Sequence, residues 1–138
     1  MFQRCLIYAA GYTSYAKAAP SKDLYRKYVP LLERLFRRRW VFDPKPIEMP
    51  TGFQGNVFRS PSGSLLASVV STEPRLTGRA LADNSVCVRV AGVEAVKRVS
   101  ITLPGAEPVN VAFGREDGAL QFGVPGDTCA AVAELHFE

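Results

Sequence analysis

YRKYVPLLERLFRRRWVFDPKPIEMPTGFQGNVFRSPSGSLLASVV, residues 25–70, changes its hydrophobic period part-way along, and that change decides the fold class. Before Trp40, the side chains of Leu24, Tyr28, Leu31, Leu32 and Leu35 recur at three- and four-residue spacing, drawing one apolar stripe down a helix. After Trp40 the spacing drops to two, the period of a strand with one buried face. Ser21 as N-cap and Asp23 in the first turn mark the helix start. Arg37, Arg38 and Arg39 suit the negative end of the helix dipole, so the helix is expected to reach about Arg38. Pro30 lies inside it and predicts a kink or two abutting helices.

Downstream, residues 39–42 and 47–49 read as short strands, punctuated by prolines as edge strands are. Ser60-Pro61-Ser62-Gly63 places proline second and glycine fourth, as a type I turn does, so residues 56–59 and 64–71 form a hairpin. Leu65, Leu66, Ala67, Val69 and Val70 make a near-continuous apolar run, expected of a strand covered on both faces, and the helix is expected to pack there. Residues 72–84 read as a connection between sheets. Alternation then places strands at 85–90, 95–103, 108–113, 120–124 and 129–137, with Val86, Val88, Val99, Ile101, Val109, Val111, Phe113, Leu120 and Phe122 inward, Ser100 and Thr102 outward, and residues 114–118 as a loop. The expected fold is mainly β, an antiparallel β-sandwich of about eight strands spaced as sandwich strands are. Residues 1–38 form a helical segment packed against the sandwich domain of residues 39–138.

A chain of 138 residues with 47% hydrophobic and 22% charged content can bury one core without disulfides or a structural metal. Charge is uneven: residues 1–40 carry nine lysines and arginines against Asp23 and Glu33, a balance of +7, which leaves −3 for the remainder of a chain of net +4. A solvated helix face, or one built to meet another domain, explains this better than nucleic acid does. Cys5, Cys87 and Cys129 are odd in number and too scattered for a zinc site, a redox pair or a disulfide framework. Cys129 falls in phase with Ala131, Ala133 and Leu135 and reads as a buried inert thiol, which favours a reducing compartment such as the cytoplasm without fixing the localisation. Gly11-Tyr12-Thr13-Ser14 interrupts the apolar stretch that would otherwise imitate a secretory signal, and no run is long enough for a membrane span.

Chemistry-bearing residues are sparse. His136, the only histidine, shares a strand face with Glu134 and Glu138 and reads as an exposed surface histidine. The acids Asp83, Glu116, Asp117 and Asp127 fall in turns or connections, where solvation explains them. Neither G-x-G-x-x-G nor the Walker pattern occurs. No catalytic residue, metal ligand or cofactor is assigned. Tyr12, Tyr15, Trp40 and Phe53 can stack on sugar rings, although filling the core is the commoner role for a residue such as Trp40. Arg34, Arg37 and Arg38 are the basic-patch candidates.

Residues 25–70 resemble the C-terminal end of large bacterial glycoside hydrolase-like proteins, where the last helix of a catalytic (β/α)₈ barrel leads into a β-sandwich. The later runs VCVRV, KRVSITLPG, LQFGVP and AAVAELHF resemble the successive strands of that sandwich. The resemblance implies a non-catalytic module, because eight βα units need about 250 residues. It also implies a fragment of a longer enzyme, or a remnant encoded alone.

The expected function is therefore an accessory sandwich that supports a glycosidase catalytic domain or touches carbohydrate. The alternative is a free-standing interaction module whose basic helix contacts an acidic partner. A helix face left uncovered by a missing barrel gives a route to homo-oligomers through the helical segment.

Overall fold

The computed structural model describes residues 22–73, 80–126 and 130–138. Helix α1, Lys22–Arg34, is continuous through Pro30 and stops four residues before Arg38. The last turn tightens to i→i−3 bonds, Leu35 N to Leu32 O at 3.0 Å and Phe36 N to Glu33 O at 3.1 Å. Arg37 then takes a left-handed conformation, φ 58°, and ends the helix. A side chain is strained in that conformation where glycine is not, so Arg37→Gly is expected to raise stability by about 0.5–1 kcal/mol. The check is the midpoint of urea unfolding, and an unchanged or lower midpoint would contradict this account of helix termination.

Eleven strands form two antiparallel sheets among the described residues. The larger sheet holds β1 (Arg39–Trp40), β4 (Val57–Arg59), β5 (Leu65–Ser71), β11 (Ala130–His136), β7 (Arg98–Thr102) and β8 (Val109–Val111), in that spatial order. In it, β3 (Phe53–Gln54) also pairs with β5. The smaller sheet is ordered β2 (Ile47–Glu48), β6 (Leu81–Val88), β10 (Ala119–Val124) and β9 (Phe113–Glu116). Phe53↔Ser71, Gln54↔Val70 and Val57↔Ala67 keep one register, so β3 and β4 are a single strand interrupted at Gly55-Asn56.

Two apolar layers hold these parts together. Between the sheets, Val57, Leu65, Val69, Val99, Ile101 and Leu135 meet Val86, Val88, Leu120, Phe122 and Val124. On the outer face of the larger sheet, Tyr28, Leu31, Leu32 and Leu35 cover Phe58, Leu66, Val70, Ala130 and Val132. The run Leu65–Ser71 is therefore buried at every position, because one face of β5 meets a sheet and the other meets the helix. The sandwich and the helix-on-hairpin packing are those expected from the sequence.

Several details differ, each for a local reason. Strand β6 begins at Leu81 rather than 85, because its register against β10 shifts between Phe122 and Val124 and breaks the alternation. Residues 114–116 belong to β9, and the turn is only Asp117-Gly118, with φ 49° and 74°, a type I′ conformation. Asp83 and Glu116 are thus strand residues and not residues of a connection or a loop. Between Val111 and Phe113 the chain leaves the larger sheet for the smaller one. Val109 shares the inward face with its cross-strand partner Ile101 but is left exposed, since β8 is the outermost strand of the larger sheet.

Candidate functional site

The outer face of the larger sheet carries one row of cross-strand partners: Trp40, Phe58, Leu66, Glu134, Ser100 and Asn110. The helix covers the apolar middle of that row. At either side of the helix, a different kind of chemistry is left open.

At one side stands Trp40, 45% exposed, its ring braced edge-on against Phe58 with centroids 4.9 Å apart and planes at 67°. Phe36 and Phe42, within four residues of it, are 58% and 90% exposed. Sequence reasoning missed both phenylalanines, because Phe36 is out of phase with the helix stripe and Phe42 looked like part of a strand.

At the other side is a polar network. Ser64 Oγ donates to Glu134 Oε1 at 2.8 Å, and Arg34 Nη1 lies 3.4 Å from Glu134 Oε2. Ser60 Oγ lies 2.7 Å from the hydroxyls of both Ser62 and Ser64. The turn holding these serines is the expected one, closed by Gly63 N to Ser60 O at 3.0 Å, with the added bulge of a glycine at φ 93°. His136 Nε2 lies 2.9 Å from Ser100 Oγ. His136 is thus 20% exposed at its side chain and engaged, which corrects its reading as an exposed surface histidine. Ser100 and Thr102, outward in the strand pattern, are nonetheless buried on the helix side of the sheet.

A serine, a histidine and a carboxylate in series invite comparison with a nucleophilic triad. The first link has the right length, but Glu134 Oε1 is 4.0 Å from His136 Nδ1 and already bonded to Ser64. Ser100 is only 7% exposed and lies mid-strand, with β11 on one side and β8 on the other. Its neighbouring backbone N–H groups serve those ladders and do not form an oxyanion hole. The arrangement orients an imidazole and a row of hydroxyls; it does not present a nucleophile.

No family model, curated protein or solved structure matches the chain. Of the residues singled out from the sequence, Trp40 is at the surface, as described. Phe53 is 8% exposed and packs in the inter-sheet core, so it is no open sugar platform. Tyr12 and Tyr15 lie outside the described residues, as do Ser21, Cys5 and Cys129. The three arginines do different things: Arg34 reaches Glu134, Arg37 terminates the helix, and Arg38 is half-buried, with its Nε enclosed and unpartnered among the described residues.

Proposed function

We propose that this chain is a non-catalytic accessory β-sandwich that contacts carbohydrate at the helix–strand junction, as the resemblance to glycoside hydrolase C-terminal regions implies. The observation that carries this reading is Trp40. Its indole is partly exposed and fixed by Phe58 beneath it, so a sugar ring can stack without first ordering the platform. Phe36 and Phe42 enlarge the apolar surface on the same stretch of chain.

Affinity electrophoresis through gels holding a panel of plant, bacterial and fungal polysaccharides tests it. At least one gel is expected to retard the protein, and Trp40→Ala is expected to reduce that retardation. Unaltered migration in every gel would defeat the carbohydrate reading.

A second reading is supported by charge. Arg26, Lys27, Arg37 and Arg39 are exposed around the helix, against Glu33 as the one acid between residues 26 and 39. This is the surface of a module that meets an acidic partner. Such binding falls steeply with salt, whereas stacking of a neutral sugar does not.

A further inference from the structure

The serine turn and the sole histidine meet at a cleft of about 430 Å³, walled by Ser62, Gly63, Ser64, His136, Phe137 and Glu138. One group, Glu134, sets the direction of every hydrogen bond behind that wall. A carboxylate only accepts, so Ser64 commits its single proton to Oε1. Ser64 must then accept from Ser60, and Ser60 from Ser62, each across 2.7 Å. The chain of hydroxyls ends with the lone pairs of Ser62 at an exposed turn position.

The same carboxylate stands beside His136. A hydrogen on Nδ1 faces Oε1 across 4.0 Å, and in that tautomer Nε2 accepts from Ser100 Oγ. A separation of 4.0 Å is too long for a direct hydrogen bond. It is, however, a span that one hydroxyl oxygen closes with two bonds of ordinary length, accepting from Nδ1–H and donating to Oε1. A carbonyl or a fully ionised phosphate oxygen cannot donate, and an ammonium cannot accept. The Glu138 carboxylate in the cleft wall also favours a neutral ligand over an anion.

We infer that this cleft binds a saccharide through its hydroxyls, one of them meeting His136 in the cleft wall and a second donating to Ser62. The site shares only its ligand class with the Trp40 platform. Three strand spacings, roughly 14 Å, separate Trp40 from Glu134 along the row, with the helix between them.

The test is a ¹H–¹⁵N NMR titration of the full chain with the methyl glycosides of glucose, galactose, mannose and N-acetylglucosamine, with glycerol as the small-polyol reference. Saturable shifts are expected at Ser62, Gly63 and His136 with at least one glycoside, at an affinity about tenfold or more above glycerol. Ser62→Ala, which alters only an exposed turn hydroxyl, and His136→Phe, which keeps a ring, are each expected to weaken binding about tenfold, while Trp40→Ala leaves it unchanged. Shifts absent with every glycoside, glycerol binding as well as the sugars, or full affinity in Ser62→Ala and His136→Phe would each overturn the assignment. Shifts confined to the surroundings of Trp40 would also overturn it while leaving the junction reading intact.

Discussion

Phe58→Ala is expected to lower the unfolding free energy by about 3–5 kcal/mol and to move Trp40 emission to the red. Phe58 is fully buried, although it lies on the outer face of its sheet. It pairs with Trp40 on one side and Leu66 on the other, belongs to the cluster under Tyr28, Leu31, Leu32 and Leu35, and carries the Trp40 ring. Truncation leaves a cavity under the helix and removes the brace of the indole in one step. Because Trp40 is the only tryptophan, its emission reports this contact without interference.

Two measurements separate those effects. Urea unfolding followed by far-ultraviolet circular dichroism gives the stability change, and native-state fluorescence gives the change at the ring. Phe58→Leu is expected to cost about 1.5 kcal/mol or less, since most of the volume is kept, yet to shift emission as Phe58→Ala does. A loss below about 1 kcal/mol for Phe58→Ala would mean that the helix is not seated as the structure has it. Unmoved emission in both variants would mean that Trp40 has no platform to lose. Domains of this size are stable by about 5–15 kcal/mol, so a loss near the upper figure also brings partial unfolding at ambient temperature within reach.

The parts of this fold that were legible in the sequence are those set by local periodicity. Strand β5 is found from its own residues: Leu65 to Val70 lack polar alternation, which already demands cover on both faces, and the helix stripe supplies the cover. Likewise Val86, Val88, Leu120 and Phe122 were correctly inward, because each strand repeats with period two. What failed did so where partners far apart in sequence decide. The burial of Ser100 and the engagement of His136 depend on β11 lying between β5 and β7, which no local pattern states. Glu134, His136 and Ser100 were each placed on the correct face of their strands, yet nothing in the chain order joins them to a turn at residues 60–64. The β9 strand, by contrast, was findable: Asp117-Gly118 is the dipeptide of a two-residue hairpin turn, which requires a strand to start before residue 117.

Gly55→Ala and Gly123→Ala are the substitutions for which a single methyl group is expected to do most harm. At Gly123, a Cβ would stand 2.5 Å from Leu81 O and 2.8 Å from the carbonyl carbon and oxygen of Ala82. The crowding follows from the register shift, in which Phe122 faces Val86 while Val124 faces Leu81, so the extra residues of β6 arch over Gly123. At Gly55 the Cβ would fall 1.7 Å from Ser68 O, inside the distance of any non-bonded contact. Gly55 sits at the interruption between β3 and β4, where Asn56 N turns to Ser68 Oγ at 3.1 Å while Ser68 N bonds Asn56 O at 2.9 Å. In both places the obstructing atoms are backbone and cannot rotate away, so the strands must separate. The expected cost is about 3 kcal/mol for Gly123→Ala, the upper end of ordinary overpacking, and more for Gly55→Ala. Gly114→Ala is the control: its Cβ would meet nothing within 4 Å, and its effect is expected to stay within about 0.5 kcal/mol. Thermal unfolding of the three variants side by side gives the order, and a Gly55→Ala protein as stable as Gly114→Ala would refute the close approach of these strands.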